Sequence, residues 1–185
     1  MCIRNGKKVH QRKINYKVNV GKKFELAWKE STPKDILIYR LPDAAQSFGG
    51  GSSLRFSRKS PFDFLMYNGK YLFALELKSV QGKSISFERT KEDDGEIHYH
   101  QIVGLNEWSK YSGTICGFII EFRELERTIF LPIEKFNELV QNTTKKSLNI
   151  KDLEEHVIEI KQRKLRTRYR YDVDGFVAQV TSHGG

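Results

Sequence analysis

The chain has few of the residues that staple or interrupt small folds. Of its 185 residues only two are cysteine, Cys2 and Cys116, and four are proline. Two thiols so far apart make no disulfide framework, which excludes a disulfide-rich secreted scaffold and points to a reducing compartment. Cys116, inside an apolar run, reads as a small buried hydrophobe. No stretch approaches the ~20 apolar residues of a membrane helix. Met1 to Lys8 are basic with no apolar segment after them, so no secretory signal is expected and the cytoplasm is the expected location. Ser52-Ser53, in a glycine loop, lacks the spacing of a phosphate-binding P-loop, and there is no zinc finger or recognition helix. Acid is scarce beside base: 23 Asp+Glu against 32 Lys+Arg leave a formal net charge of +9. That excess suits a polyanion partner and says nothing about chemistry.

What is present is enough for a folded domain. Hydrophobic residues make up 38% of the chain and aromatics 12%, and the length fits one domain of roughly 100–200 residues. Phe24, Ala27 and Trp28 share one face of a helix expected over 21–31. Strands are expected at 36–39, 62–67, 71–78 and 84–87, with Asn68-Gly69 as a two-residue hairpin turn between the second and third. A helix at 98–110 follows. The near-continuous apolar run from Thr114 to Phe122 reads as a central buried strand, with a hairpin partner at 128–131 and a helix at 134–141. Interleaved strands and helices give an α/β (α+β) fold around a mixed sheet flanked by helices. The expected organisation is a basic N-terminal arm over 1–19, a core over 20–141 with a long loop insertion at 42–61, and a basic C-terminal extension over 142–185 that packs on the core.

Cation is concentrated in three places: the arm, the loop (Arg55, Arg58, Lys59) and the run from Lys161 to Arg170, with six cations in ten residues. Drawn out as one strand, that run would put Arg166, Arg168 and Arg170 on one face. Together with Lys83, Arg163 and Lys164, these residues are candidates for phosphate contact. Tyr169 and Tyr171 either stack on bases or pack inward.

The chemistry is carried by acids. In Leu75-Glu76-Leu77-Lys78, period 2 puts Glu76 and Lys78 on one face of the strand and the leucines on the other. Asp63 sits thirteen residues before Glu76, on the other arm of the hairpin, and Asp is disfavoured in strands. Brought together, Asp63 and Glu76 would offer hard oxygen ligands to Mg²⁺ or Mn²⁺. Such an ion polarises a phosphoryl group and acidifies a bound water, while Lys78 could offset charge developing on phosphorus. Asp43, after Pro42, is a rival acid, but the hairpin gives Asp63 the direct approach.

An Asp, a hairpin and then Glu-x-Lys resembles the PD-(D/E)xK nuclease superfamily, with the Pro–Asp dipeptide relaxed to Pro61-Phe62-Asp63. Gly21-Lys22-Lys23-Phe24-Glu25, Gly82-Lys83-Ser84-Ile85-Ser86-Phe87, His100-Gln101-Ile102 and Lys145-Lys146-Ser147-Leu148 extend the resemblance, in order, to RecU-type Holliday junction resolvases over roughly 20–150. The resemblance implies a restriction-endonuclease-like core with a protruding stalk, here the loop 42–61. It implies a homodimer that nicks two opposed strands of four-way DNA junctions using Mg²⁺, for which Mn²⁺ may substitute, with no organic cofactor and no membrane. By position, Asp63 and Glu76 would be metal ligands and Lys78 the catalytic lysine. Glu25 would act on the metal or its water, and Gln101 would position water or phosphate. Two alternatives stand beside this: a nuclease of the superfamily with another DNA substrate, and a basic, non-catalytic DNA-binding recombination module.

Overall fold

The computed structural model of the chain describes residues 19–42 and 59–182. The first helix, α1 (Val20–Ser31), is capped by Asn19, whose side chain accepts from the Lys22 amide, and buries Phe24, Ala27, Trp28 and Ser31 on one stripe. Strand β1 (Leu37–Arg40) pairs antiparallel with β2 (Phe64–Tyr67), which pairs antiparallel with β3 (Leu72–Val80). The turn between β2 and β3 is not the two-residue type that Asn68-Gly69 suggests. Tyr67 pairs with Leu72, leaving four residues between them. Asn68 Oδ1 accepts the amides of Lys70 and Tyr71. Gly69 alone in this turn has positive φ, 92°, whereas a two-residue type I′ turn needs two such residues.

After β4 (Ser84–Ser86) and α2 (Tyr99–Trp108), β5 (Thr114–Phe122) enters parallel to β3 along its full length. It is the buried central strand expected from its apolar run. A short 3₁₀ turn leads to β6 (Arg127–Pro132), then α3 (Ile133–Gln141), β7 (Ser147–Asn149), α4 (Ile150–Leu153) and β8 (Ile158–Ile160). The central sheet has the order β1-β2-β3-β5-β6-β8. It is mixed, because β3 and β5 run parallel while its other neighbours are antiparallel. β4 and β7 form a separate two-stranded ribbon. The fold is thus a mixed sheet flanked by helices, as the sequence pattern leads one to expect. Among the described residues no helix is long and apolar enough to cross a membrane.

The basic run from Lys161 to Arg170 is not one extended strand. It doubles back as β9 (Gln162–Lys164) and β10 (Tyr169–Tyr171), so Arg166 and Arg168 lie in the turn and Arg170 faces Arg163. Ion pairs from Lys164 to Glu126 and from Arg168 to Glu30 hold the ribbon's turn end down. Helix α5 (Val173–Ser182) closes the chain and packs with α1 on one face of the sheet, around Phe73, Leu75, Ile119 and Phe130. On the other face, α2 and α3 cover Ala74, Phe118, Ile120 and Leu131. Cys116 is buried, and burial pushes its thiol up to about 11.

Helix α2 approaches the chain before β2 unusually closely. A Cβ added at Gly104 would collide with Pro61 Cβ and lie 2.9 Å from the Pro61 carbonyl oxygen, so glycine alone lets the helix seat against the segment that leads into Asp63. Inside a helix, Gly→Ala ordinarily stabilises by about 1 kcal/mol. Gly104→Ala is expected to do the opposite, destabilising by about 1–3 kcal/mol through overpacking. Thermal denaturation checks the sign, and a raised midpoint would show that the close approach is not required.

Candidate active site

Asp63 lies at a bend just before β2 rather than within it, and it behaves as an extra rung of the ladder. Its amide donates to Leu75 O at 3.2 Å, its carbonyl accepts from the Leu41 amide at 2.8 Å, and its carboxylate Oδ2 accepts from the Leu77 amide at 2.9 Å. A side chain thus replaces a backbone carbonyl where pairing with β3 would otherwise stop. This is why Asp occurs in an otherwise apolar run.

Glu76 is 2% exposed on β3, on the face opposite Leu75 and Leu77. Lys78 shares its face, as strand parity requires, with Nζ 3.1 Å from Glu76 Oε1. The amide of Gln101, in the first turn of α2, donates to the same oxygen at 2.5 Å. Its other end, Oε1, accepts from the backbone amide of the α2 N-cap, His98, at 2.9 Å. Gln101 therefore does two jobs: it satisfies a free amide at the helix start and fixes the direction of Glu76.

Desolvation by burial pushes both carboxyl groups up, Asp63 to about 6 and Glu76 to about 8, and their proximity to other acids, Glu25 for both and Asp63 for Glu76, adds to the rise. For Asp63 the Leu77 amide is the largest opposing influence; for Glu76 it is Lys78. Each acid retains one oxygen, Asp63 Oδ1 and Glu76 Oε2, with no hydrogen-bond donor among the described residues. Two part-neutralised hard-oxygen donors on adjacent strands suit Mg²⁺ or Mn²⁺, which takes one or two carboxylates and completes its shell with water and phosphate. The residues fit such an ion, although among the described residues no three acids, histidines or cysteines form a ready-made metal cluster. Glu25 is near enough to raise both carboxyl groups, and Arg40 Nε donates to its Oε2 at 2.6 Å.

A cavity of about 220 Å³ opens onto Asp63, Glu76 and Gln101, bounded also by Lys59, Phe62 and His100. Ser60 Oγ donates to Pro42 O, so the loop between them leaves and returns at the cavity mouth. Of the loop's candidate phosphate contacts, Lys59 stands at that mouth, while Arg55 and Arg58, like the rival acid Asp43, lie outside the described residues. Burial first, and then Lys59, push the His100 imidazole below its ordinary range.

The other candidates are elsewhere. Lys83 is exposed in the turn after β3, 3.8 Å from Glu124. Arg163, Lys164, Arg166 and Arg168 are on the β9–β10 ribbon, with Lys164 and Arg168 ion-paired. Sequence pattern did not bring out Arg40, which sits in no motif and is recognisable only once β1 is placed beside α1; His100 stands in the His100-Gln101-Ile102 segment, but that pattern gives it no role of its own.

The chain matches the family described as Recombination protein U over residues 9–173. The SPbeta prophage-derived uncharacterized protein YotM of Bacillus subtilis is 30% identical, over 83% of this chain and 82% of its own length. The Holliday junction resolvase RecU of Lactobacillus acidophilus is 28% identical, over 95% of this chain and 88% of its own. The Holliday junction resolvase Hjc of Archaeoglobus fulgidus superposes with a TM-score of 0.42 at 13% identity, over 71% of this chain and 86% of that one.

The raised carboxyl groups set a pH dependence for the metal-free protein. Between the ordinary carboxylate range and the raised values, the native state holds protons that the unfolded chain has released, so stability falls as pH rises. The window runs to about 6 for Asp63 and on to about 8 for Glu76. In EDTA, Glu76→Gln is expected to unfold at higher urea than the wild type at pH 8 by the equivalent of about 1.4 kcal/mol or more, with most of that advantage gone at pH 5. An equal difference at both pH values would show that Glu76 ionises without penalty.

Proposed function

The chain belongs to the recombination protein U family, and from that premise we propose that it is a metal-dependent endonuclease that resolves four-way DNA junctions. It acts as a homodimer in the cytoplasm, in recombination and repair, and nicks two opposed strands symmetrically, since paired cuts need two active sites. The observation that carries the reading is the enclosed Asp63–Glu76 pair with Lys78 and Gln101 converging on Glu76. The family membership and the relative named as a Holliday junction resolvase support the substrate.

Asp63 and Glu76 would hold the Mg²⁺ or Mn²⁺. When bound, the ion polarises the scissile phosphoryl group and makes water a stronger nucleophile. The protein's own groups do the rest. The Leu77 amide and Gln101 each fix one oxygen of a carboxylate, which would spare reorganisation during reaction. Lys78, mostly enclosed beside Glu76, supplies a cation against charge that grows on phosphorus during in-line attack. Glu25, braced by Arg40, adds negative potential that raises the demand for a cation at Asp63. Lys59 at the mouth, with Arg55 and Arg58 of the same loop, takes phosphates as the DNA enters. Lys83 and the ribbon residues Arg163, Lys164, Arg166 and Arg168 extend the backbone contact. Such contacts are salt-dependent and carry no sequence readout. Cleavage leaves 5′-phosphate and 3′-hydroxyl ends.

A panel of four-way junction, flap, linear duplex and single-stranded DNA with Mg²⁺ tests the substrate. The junction is expected to be cut in preference, by symmetric nicks. Asp63→Asn and Lys78→Ala are each expected to lose at least about a hundredfold in rate, the scale of one lost electrostatic contributor, while gel-shift affinity for the junction changes little. Cutting of linear duplex at fixed sequences would replace the junction as substrate. Full activity in both variants would overturn the site.

A further inference from the structure

A second hollow, of about 400 Å³, lies between α1 and the β9–β10 ribbon. Its volume is within the ~300–1,000 Å³ of small-ligand sites. One wall is apolar and aromatic: Phe24 and Ala27 from α1, Leu165 from the ribbon turn, and Tyr169 and Tyr171 from β10. The rim carries Lys23, Arg123 and Arg166, and no acid within ion-pair distance is found for any of the three among the described residues. Arg123 Nε is buried without a hydrogen-bond partner, which leaves a charged donor unsatisfied inside the protein. Deeper in, Glu121 is 6% exposed. It accepts from Ser79 Oγ at 2.6 Å and Tyr171 OH at 2.9 Å, both neutral donors. A carboxylate has about four lone-pair sites, so Glu121 can still accept.

An aromatic wall, a rim of cations with no acid partner among the described residues, and a buried acceptor together describe a ligand with a flat body, an anionic group and a donating edge. On the reading that the chain handles DNA, we propose that this hollow binds one unpaired nucleotide of a DNA strand. Its base lies against Tyr169, its phosphate meets Arg123 and Arg166, and its amino edge points toward Glu121. The hollow and the cleavage site are built on the same elements. Lys78 and Ser79 are consecutive on β3 and project to opposite faces, so the hollow and the acidic cavity lie back to back near the end of one strand. Helix α1 lines the hollow with Phe24, while the charge of its Glu25 acts on the acids of the other cavity. The contact would recognise an unpaired base, which duplex arms of a junction do not offer and which an opened crossover does.

The test uses the full chain in EDTA and two fluorescein-labelled single strands. They are identical except that one bears 2-aminopurine and the other an abasic tetrahydrofuran at the same position. Anisotropy is expected to show about tenfold tighter binding of the base-bearing strand, the effect of one base–aromatic stack. Tyr169→Ala should erase that preference and Tyr169→Phe should keep it. Equal affinity of the wild type for both strands overturns the proposal without any variant, and so does a preference that survives in Tyr169→Ala. Competition by deoxyguanosine monophosphate at strand-like concentrations would overturn the strand assignment in favour of a free nucleotide. Junction cleavage with Mg²⁺ is scored separately. A chain that cuts but has no base preference loses only this hollow; one that prefers the base but never cuts loses only the nuclease reading.

Discussion

Glu76 sits inside β3 with Leu75 and Leu77 on either side and almost no contact with water. Burial alone would keep it protonated, and Lys78 and Gln101 both converge on one of its oxygens to hold it in place. Much of the architecture answers to this carboxylate. It needs β3 to be a central strand, which requires β5 beside it and α2 above it. It needs α2 to start where Gln101 can reach down, and Gly104 lets the helix come close enough to Pro61. A buried charge is tolerated only with such partners, so the same contacts that hold the carboxylate also specify where the helix lies.

Asp63 adds the second constraint. By accepting the Leu77 amide, it ties the start of β2 to the middle of β3 and keeps the two acids on neighbouring strands. Pro42 and Ser60, on either side of residues 43–58, are bonded to each other beside this point. In an open sheet, a position at the end of a central strand where chain connections diverge is a recurrent place for a ligand. Here Asp63, just before β2, and Glu76 on β3, rather than the sheet's hydrophobic bulk, give that position its polar character.

Much of this is legible from local pattern. Period 2 puts Glu76 and Lys78 together; the apolar stripe of α1 and the continuous run of β5 identify themselves. What is not legible depends on partners distant in sequence. Asn68-Gly69 has the composition of a two-residue turn, yet Asn68 uses its side chain to cap Lys70 and Tyr71, and the loop widens. The basic run from Lys161 to Arg170 folds back because Glu30 and Glu126, far away along the chain, pair with Arg168 and Lys164. Gln101 is readable as a candidate, but its hold on Glu76 depends on how α2 crosses the sheet. Arg40 carries no motif at all; its meaning comes from Glu25 fifteen residues earlier.

The net charge of +9 has a different meaning once its carriers are located. Several cations serve the protein itself: Arg40 with Glu25, Lys78 with Glu76, Lys164 with Glu126 and Arg168 with Glu30. Lys164 and Arg168, paired but still exposed, and the cations without acid partners among the described residues are what a polyanion would meet. The acids run the other way and gather where DNA would be cut, so a phosphate approaching Asp63 and Glu76 is repelled until a cation intervenes. On the proposed reading the basic surface and the acidic cavity would therefore act at successive moments: the first would hold DNA in the absence of metal, and the second would admit a phosphate only with a divalent ion beside Asp63 and Glu76.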